Sequence, residues 1–310
     1  MRKTILLFSI LLANVLFVNG QSASFVEIIP DARAASMGAT GVASNNGAFS
    51  LYHNTAALAL IENKAGAGYS YTPWMNSFRK GYALHTVAGY YQISPKIGAV
   101  TVGYRYFTLP KYERIGNNGE SKGNYNPDEM SFDLGYAYAI TAELGIAANV
   151  RYIRSAIEKD QTGTAFAGDL SLYYTKNSFA VGLSLMNLGQ KISYYGEKYE
   201  MPTKVKLGGS YSYLLGEQHM LTGNAEVAYK FLPSDYSGVE GGIGAEYTYK
   251  NMLSARAGYH LGDEDKTSPN YATVGCGVKY WKLALDATYL IAKSDSPLKN
   301  CFWLTLGANF

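Results

Sequence analysis

Two carboxylates and two arginines on consecutive predicted strands are the residues whose types and spacing could do chemistry: Asp133, Asp169, Arg105 and Arg151. A pair of carboxylates could divide the roles of general acid and general base. Each of these carboxylates has an arginine beside it, however, and a neighbouring positive charge favours the ionised, structural form. The pattern therefore argues against catalysis. Two non-catalytic interpretations remain: a polar conduit, or an interior that is cross-braced by ion pairs and holds a plug. Small residues on the same face leave room inside the barrel and favour the plug.

The same two-residue alternation places charged side chains on this inner face of the later strands as well. Positive and negative side chains are both present in this set, so residues on neighbouring strands could form ion pairs that brace the wall. The predicted polar network of the interior consists of Arg105, Asp133, Arg151, Asp169, Glu246, Arg256 and Asp286. Glu226, Glu240, Asn149 and Asn224 fall on the same face.

Other catalytic, metal and cofactor sites have little support in the sequence. The four histidines, His53, His85, His219 and His260, are far apart and lack the clustered spacing of metal ligands. No nucleophile-elbow pattern is present. The glycines within 241–244 alternate as strand positions and precede no helix, so they do not indicate a nucleotide site. The sequence predicts neither an enzyme nor a bound cofactor.

The elements that position these residues are strands, because apolar and polar residues alternate with period two from residue 63 to residue 310. In the clearest case the alternate positions of 130–140 are all apolar or aromatic, while those between them are small or polar. This predicts an all-β fold, a transmembrane antiparallel β-barrel of about 14 strands with an N-terminal hatch segment. Cys276 and Cys301 lie on non-adjacent predicted strands, so both are expected to be free thiols.

The gaps between the strands alternate in length, which is the layout of an outer-membrane barrel with tight turns on one rim and longer loops on the other. Soluble sandwiches have no reason to sort their loops in this way. The short turns are predicted near 94–96, 141–143, 175–178, 215–218, 249–251 and 281–282, and the long gaps over 72–80, 109–128, 156–163, 189–203, 231–238, 262–270 and 292–300.

Composition and the N-terminus agree with an exported membrane protein. Residues 1–20 combine a basic start, an apolar run and small residues, which predicts a signal peptide cleaved after Gly20. Removal of Arg2 and Lys3 with this leader takes the formal charge from +3 to +1. Near-neutrality gives no argument for nucleic acid as a partner. The outward apolar positions instead predict contact with outer-membrane lipid.

The segment 21–62 lacks the strand pattern and is predicted to be a hatch inside a barrel over 63–310. It contains Ala-Arg-Ala-Ala-Ser-Met-Gly-Ala-Thr-Gly-Val-Ala over 32–43 and Asn54-Thr55-Ala56 a dozen residues later. With Met186-Asn187-Leu188-Gly189, Met201-Pro202 and a terminal Phe310, this pattern resembles the PorV/PorQ family of Bacteroidetes outer-membrane proteins, which are FadL-like barrels. The family's usual Asn-Pro-Ala is Asn-Thr-Ala here, which removes a fixed φ. The candidate hatch residues are Arg33, Met37 and Asn54.

The resemblance implies a non-catalytic part in type IX secretion: receiving or shuttling secreted cargo, or serving within the surface attachment complex. Secretion-system proteins or cargo are then the expected partners, and the outer membrane the expected location. The alternative is a FadL-like transporter of hydrophobic small molecules, and a third possibility is a structural barrel without transport. Candidate partner-binding residues are the loop side chains Trp74, Met75, Phe78, Tyr194, Tyr195 and Tyr199, which could also belong to the aromatic girdle at the membrane surface.

Overall fold

The computed structural model describes residues 23–159 and 161–310. The predicted signal peptide at 1–20 lies outside the described residues. Between Ala23 and the first strand, the chain forms four short helical turns and little else. They are the 3-10 helix Ser24–Glu27, helix α1 at Ala32–Ser36, and the 3-10 helices Gly47–Tyr52 and Thr55–Leu60. We refer to residues 23–62 as the hatch.

The rest of the chain forms strands, and fourteen of them close into an antiparallel barrel, as predicted. β1 pairs with β18, so the first and last strands join the two ends of the sheet. The barrel strands are β1 Ala65–Pro73, β2 Ala83–Ser94, β3 Gly98–Thr108, β6 Asp128–Ala139, β7 Leu144–Glu158, β8 Gln161–Lys176, β9 Phe179–Gly189, β12 Lys204–Leu215, β13 His219–Lys230, β14 Gly238–Tyr249, β15 Leu253–Leu261, β16 Tyr271–Tyr280, β17 Leu283–Ile291 and β18 Phe302–Asn309.

Two small hairpins stand outside the barrel sheet. One is formed by β4 (Tyr112–Ile115) and β5 (Ser121–Tyr125), and the other by β10 (Ile192–Tyr194) and β11 (Glu197–Tyr199). A fourth 3-10 helix, Ser234–Tyr236, lies between β13 and β14.

Within the described residues, no helix has both the length and the apolar character needed to cross a membrane.

The connections separate into two rims, which we call the turn rim and the loop rim. The turn rim carries the tight turns between β2 and β3, β6 and β7, β8 and β9, β12 and β13, β14 and β15, and β16 and β17. One predicted loop is wrong. The stretch 156–163 was expected to be a long gap, but β7 has 15 residues, β8 has 16, and their ladder continues to the pair Glu158–Gln161. Here the two strands extend beyond the loop rim. Polar residues of 156–163, which suggested a loop, pair with one another in a hairpin that is exposed to solvent.

The two faces of the strands differ as their alternation predicts. On β6, Phe132, Leu134 and Tyr136 are exposed on the outer surface, while Ser131 and Asp133 are completely buried in the lumen. The same division holds around the barrel, so that the outside is covered by Leu, Val, Ile, Phe and Tyr. Such a surface matches the hydrocarbon region of a bilayer.

Glycines on the lumen-facing side allow the backbone of the hatch to touch the barrel wall. A Cβ added at Gly182 would overlap the carbonyl oxygen of Val42, and one added at Gly258 would overlap the backbone of Gly38. Gly38 itself has φ +70°, a conformation that glycine adopts without strain. Close backbone approach is a common reason for glycine inside a strand. These positions therefore define where the hatch is seated.

Both cysteines are free, as predicted, but their surroundings differ. Cys276 is exposed on the outer face of β16, whereas Cys301 is buried immediately before β18. The Cys301 thiol accepts a hydrogen bond from the backbone N–H of Met75 at 3.3 Å. Burial raises the pKa of this thiol to about 11, so it stays protonated and unreactive at neutral pH.

Candidate functional site inside the barrel and at its loop rim

The first buried polar network joins β6, β7 and β8. Arg151 lies between Asp133 and Asp169: its guanidinium donates to Asp133 through Nε and to Asp169 through Nη2, the latter at 3.0 Å. All three side chains are almost completely buried. One arginine facing two carboxylates leaves one negative charge without an arginine of its own. Neutral hydrogen-bond donors stabilise the two carboxylates further. Asn187 supplies its backbone N–H to Asp169 at 2.7 Å, and Ser131 donates to Asp133 at 2.8 Å.

Asn187 is the residue at which the β8–β9 ladder breaks register. The pairing shifts between Gly168 and Leu170, and Asn187 takes the left-handed conformation with φ +59°. Its side chain donates to the carbonyl of Pro202 at 2.9 Å, and Thr203 donates to the Asn187 carbonyl at 2.9 Å. The motifs at 186–189 and 201–202, which are far apart in the sequence, are therefore in direct contact. The bulge holds the loop-rim end of β9 against the segment that enters β12.

Arg105 connects this network to the hatch. Its Nη1 donates to the carbonyl of Val26 at 3.0 Å, and its Nε donates to Ser131 at 3.1 Å. The guanidinium also lies 4.6 Å from the centre of the Tyr52 ring and 5.7 Å from that of Phe25. Stacking of this kind stabilises a desolvated cation. Arg105 thus reaches Asp133 through the Ser131 hydroxyl rather than by a direct ion pair.

The second network joins the hatch to β14, β15 and β17. Arg33 forms two hydrogen bonds to the Glu246 carboxylate, from Nη2 at 2.9 Å and from Nε at 3.2 Å. Arg256 donates to the same carboxylate and, through Nη1, to Asp286 at 2.6 Å. Two arginines and two acids make the cluster neutral. Because the Glu246 carboxylate raises the pKa of Arg33 further, this hatch residue remains a cation at any physiological pH.

A third network, which the sequence analysis missed, is built on lysines. Lys204 binds Glu27 of the hatch at 3.0 Å and Glu240 of β14 at 2.9 Å, and Lys230 binds Glu27 at 3.0 Å. Burial raises the pKa of Glu27, but Lys204 and Lys230 outweigh that effect and hold it below its usual range. The signal was present in the sequence as alternate lysines, Lys204 and Lys206, at the start of β12. Lys206 pairs with Glu226 at 2.7 Å.

The remaining predicted hatch residues fix its backbone. Asn54 caps the 3-10 helix at Thr55–Leu60 by accepting from the N–H of Ala56 at 3.1 Å, and it donates to the carbonyls of Val42 and Leu172 at 2.8 Å each. These bonds come from the side chain of the asparagine alone, so the chain does not need the family's proline at position 55. Met37 is buried, and its backbone lies against the lumen-facing glycines of β14 and β15.

Two cavities lie inside the barrel on opposite sides of the hatch. The loop-rim cavity has a volume of about 380 Å³ and is mostly apolar. The turn-rim cavity, of about 290 Å³, is lined by polar residues that include Arg33, Glu246 and Asp286. Among the described residues the two cavities share no lining residue, so the hatch separates them. The described residues also contain no group of three His, Cys, Asp or Glu side chains placed to hold a metal ion.

Comparison with known proteins agrees with this architecture. The family model of type IX secretion system protein PorV matches residues 17–237, which is more than half of the chain. The chain belongs to the PorV family. No curated protein sequence matches it. The PorV family is a secretion family, and that places this barrel in type IX secretion.

The fold of this PorV-family chain is that of FadL-like channels. The Ralstonia pickettii toluene transporter TbuX is similar over 92% of this chain and 100% of its own, with 14% identity and a TM-score of 0.64. The P. putida toluene transporter TodX matches over 90% and 98%, with 12% identity and a TM-score of 0.64. A Pseudomonas aeruginosa FadL homologue matches over 90% and 98%, with 10% identity and a TM-score of 0.55. Two of these proteins are described as toluene transporters, and at such identities the likeness concerns the fold.

The loop rim of this PorV-family barrel is raised on one side. The β4–β5 hairpin, the projecting ends of β7 and β8, and the β10–β11 hairpin are bonded to one another, and we call this group the platform. Tyr112 donates to the Ile157 carbonyl at 3.2 Å, and the backbone N–H of Tyr195 donates to Gln161 at 3.0 Å. The Tyr195 hydroxyl also donates to the carboxylate of Glu158.

The five predicted loop aromatics and Met75 do not form one exposed surface. Phe78 and Tyr195 are exposed, at 71% and 65%. Tyr194, predicted as a partner-binding loop residue, is instead buried: it is only 8% exposed, because the β10–β11 hairpin folds inward and packs it beside Ile192. Tyr199 lies against Tyr194, with ring centres 5.8 Å apart. Trp74 and Met75 are half-buried and line the loop-rim cavity, where Trp74 packs edge-on against Trp303.

Proposed function

We propose that this chain is an integral outer-membrane protein that binds a secretion-system protein or a secreted cargo at its loop rim. The observation that carries the proposal is the combination of the PorV family match with a lumen filled by the hatch. Three polar networks fasten the hatch to the wall, so a polypeptide has no open path through the described barrel. The surfaces left for a partner are the loop rim and the outer wall.

The platform is the part of the loop rim that suits such a partner. It is rigidified by hydrogen bonds between its three components, and it presents Ile115 and Tyr195 to solvent. Phe78, in the loop between β1 and β2, adds a further exposed aromatic ring. Exposed aromatic and aliphatic side chains above a polar rim are the usual anchors of a protein interface. The outward Leu, Val and Tyr residues of the strands contact outer-membrane lipid in this proposal.

Site-specific photocrosslinking tests this assignment. A photoreactive phenylalanine analogue is placed at Phe78 or at Tyr195 in cells that carry the native secretion system, and the adducts are recovered from detergent-solubilised membrane. We expect a secretion-system protein or a cargo protein at both positions. Tyr280 and Trp281 are matched controls, because they are equally exposed aromatics (72% and 78%) on the turn rim. The proposal fails if the loop-rim and turn-rim positions give the same adducts.

A second candidate function is the passage of a hydrophobic small molecule. It is favoured by the apolar loop-rim cavity and by a fold shared with proteins described as toluene transporters. The same purification separates the two functions. Recovery of a lipid-like molecule without any protein partner supports transport and contradicts the secretion assignment.

A further inference from the structure

The loop-rim cavity has the dimensions and lining of a small-molecule site. Its volume of about 380 Å³ lies in the range of ligand pockets, and it opens toward the loops. The hatch forms its floor with Ile28 and Ile29. Apolar and aromatic side chains from four parts of the loop rim form its walls: Trp74, Phe107, Leu109, Tyr271, Leu298 and Trp303.

Lys204 and Lys206 line one side of this cavity, and Lys230 shares Glu27 with Lys204; all three lysines are paired with carboxylates. Lys204, Lys206 and Lys230 pair with Glu27, Glu226 and Glu240, which is three cations with three carboxylates. A bound anion would therefore have to compete with carboxylates that already hold these lysines. The lysine side of the cavity is polar, but its positive charges are already neutralised, so it does not favour a negatively charged ligand.

Glu129 is the exception among the acids that line the cavity. It points into the lumen from β6, four strands away from the lysines of β12, and it is 8% exposed. One carboxylate oxygen accepts from Ser155 at 2.6 Å, and in the described residues the other has no hydrogen-bond partner. The nearest charged residue in sequence is Asp128, whose partner is Arg154 at 3.3 Å. No cation in the described residues is paired with Glu129. A buried carboxylate without a cation is costly, and a ligand that supplies one removes that cost.

We infer that the loop-rim cavity binds a small cationic amphiphile, with its apolar body among the aromatic walls and a primary ammonium group paired with Glu129. The pairing satisfies the free carboxylate oxygen with a charge-assisted hydrogen bond. The apolar body removes the aromatic walls from water. This inference concerns a ligand of the cavity and does not depend on the secretion partner at the rim.

Intrinsic fluorescence can test it, because two of the three tryptophans, Trp74 and Trp303, line the cavity. The third, Trp281, lies on the turn rim and is replaced by phenylalanine. The full chain is placed in nanodiscs of zwitterionic lipid and titrated with octylamine, octanol or octanoate. We expect a saturable change in tryptophan emission, with octylamine binding at least about tenfold more tightly than octanoate.

Three variants make the result specific. Glu129→Gln should weaken octylamine binding roughly tenfold and leave octanol unchanged, since only the ionic part of the interaction is lost. Ala228→Leu, which fills the cavity, should weaken both ligands, whereas Glu143→Gln on the turn rim should change neither. Equal or tighter binding of octanoate, an unchanged octylamine affinity in Glu129→Gln, or a linear response that only reports partition into lipid would overturn the inference.

Discussion

Arg33 of the hatch and Glu246 of the barrel wall, 213 positions apart in sequence, form a bidentate salt bridge. The Glu246 side chain is almost completely buried, while that of Arg33 is about one third exposed to the turn-rim cavity. The salt bridge therefore joins the hatch to the wall, and solvent reaches it only from the turn-rim cavity. Since Glu246 also binds Arg256, the loss of Arg33 leaves the carboxylate paired.

Arg33→Met should loosen the hatch without unfolding the barrel. We expect a cost of about 1–3 kcal/mol, because a charge-assisted pair is lost while Glu246 keeps one cation. Hydrogen exchange of the hatch amides should become faster, whereas exchange in β6 and β7 should not change. A double-mutant cycle with Glu246→Gln isolates the pair. A coupling energy near zero in this cycle means that the salt bridge does not hold the hatch.

Gly182→Ala should displace the hatch from the wall. The added methyl group would overlap the Val42 carbonyl, and overpacking of this kind costs about 1–3 kcal/mol. Gly223→Ala is the matched control, because a methyl group on that glycine meets nothing within 4 Å. Thermal unfolding and proteolytic cutting between residues 23 and 62 report the effect. Equal melting temperatures of the two variants would contradict this seating of the hatch.

The period of two in the strands explains how much of the fold could be predicted from the sequence. It assigned the residues of the barrel to an inner and an outer face, and the closed antiparallel barrel of fourteen strands is confirmed. Because the face of a residue follows from local alternation, Asp133, Arg151 and Asp169 could be assigned to the inner face of neighbouring strands from the sequence alone. The same alternation does not say where a strand ends, which is why the sequence predicts a loop over 156–163 although β7 and β8 remain paired there.

Contacts between the hatch and the wall were harder to predict, since the hatch has no period. Glu27 meets Lys204 across 177 positions and Lys230 across 203, and no pattern in the sequence links them. Tyr194 shows the same limit at the loop rim. Whether a loop tyrosine is exposed or buried depends on how its hairpin packs against the rest of the protein. That packing is a tertiary property, which the local sequence does not reveal.

Asn187→Ala should destabilise the loop-rim end of β9. The variant loses hydrogen bonds to Arg151 and to the Pro202 carbonyl, and it keeps a left-handed backbone that alanine adopts with strain. We expect a loss of roughly 2–4 kcal/mol in the free energy of unfolding. Asn187→Gly separates the two causes, because glycine relieves the strain but restores no side-chain bond. If the glycine variant is as stable as the wild type, the bulge requires only the backbone conformation.

The stability supplied by Glu27 should depend on pH. Lys204 and Lys230 hold its pKa below the usual range despite its burial, so its folded pKa is lower than its unfolded pKa. Its contribution is therefore complete above the ordinary carboxyl range, near pH 4.5, and is lost as pH falls through the depressed folded value. We expect wild type to be more stable than Glu27→Gln at pH 7, with a difference that shrinks below pH 4.5. Glu143→Gln, at a solvated turn, should show no comparable difference. A gap between wild type and Glu27→Gln that is the same at pH 7 and at pH 3 would show that the lysines do not act on Glu27 through its charge.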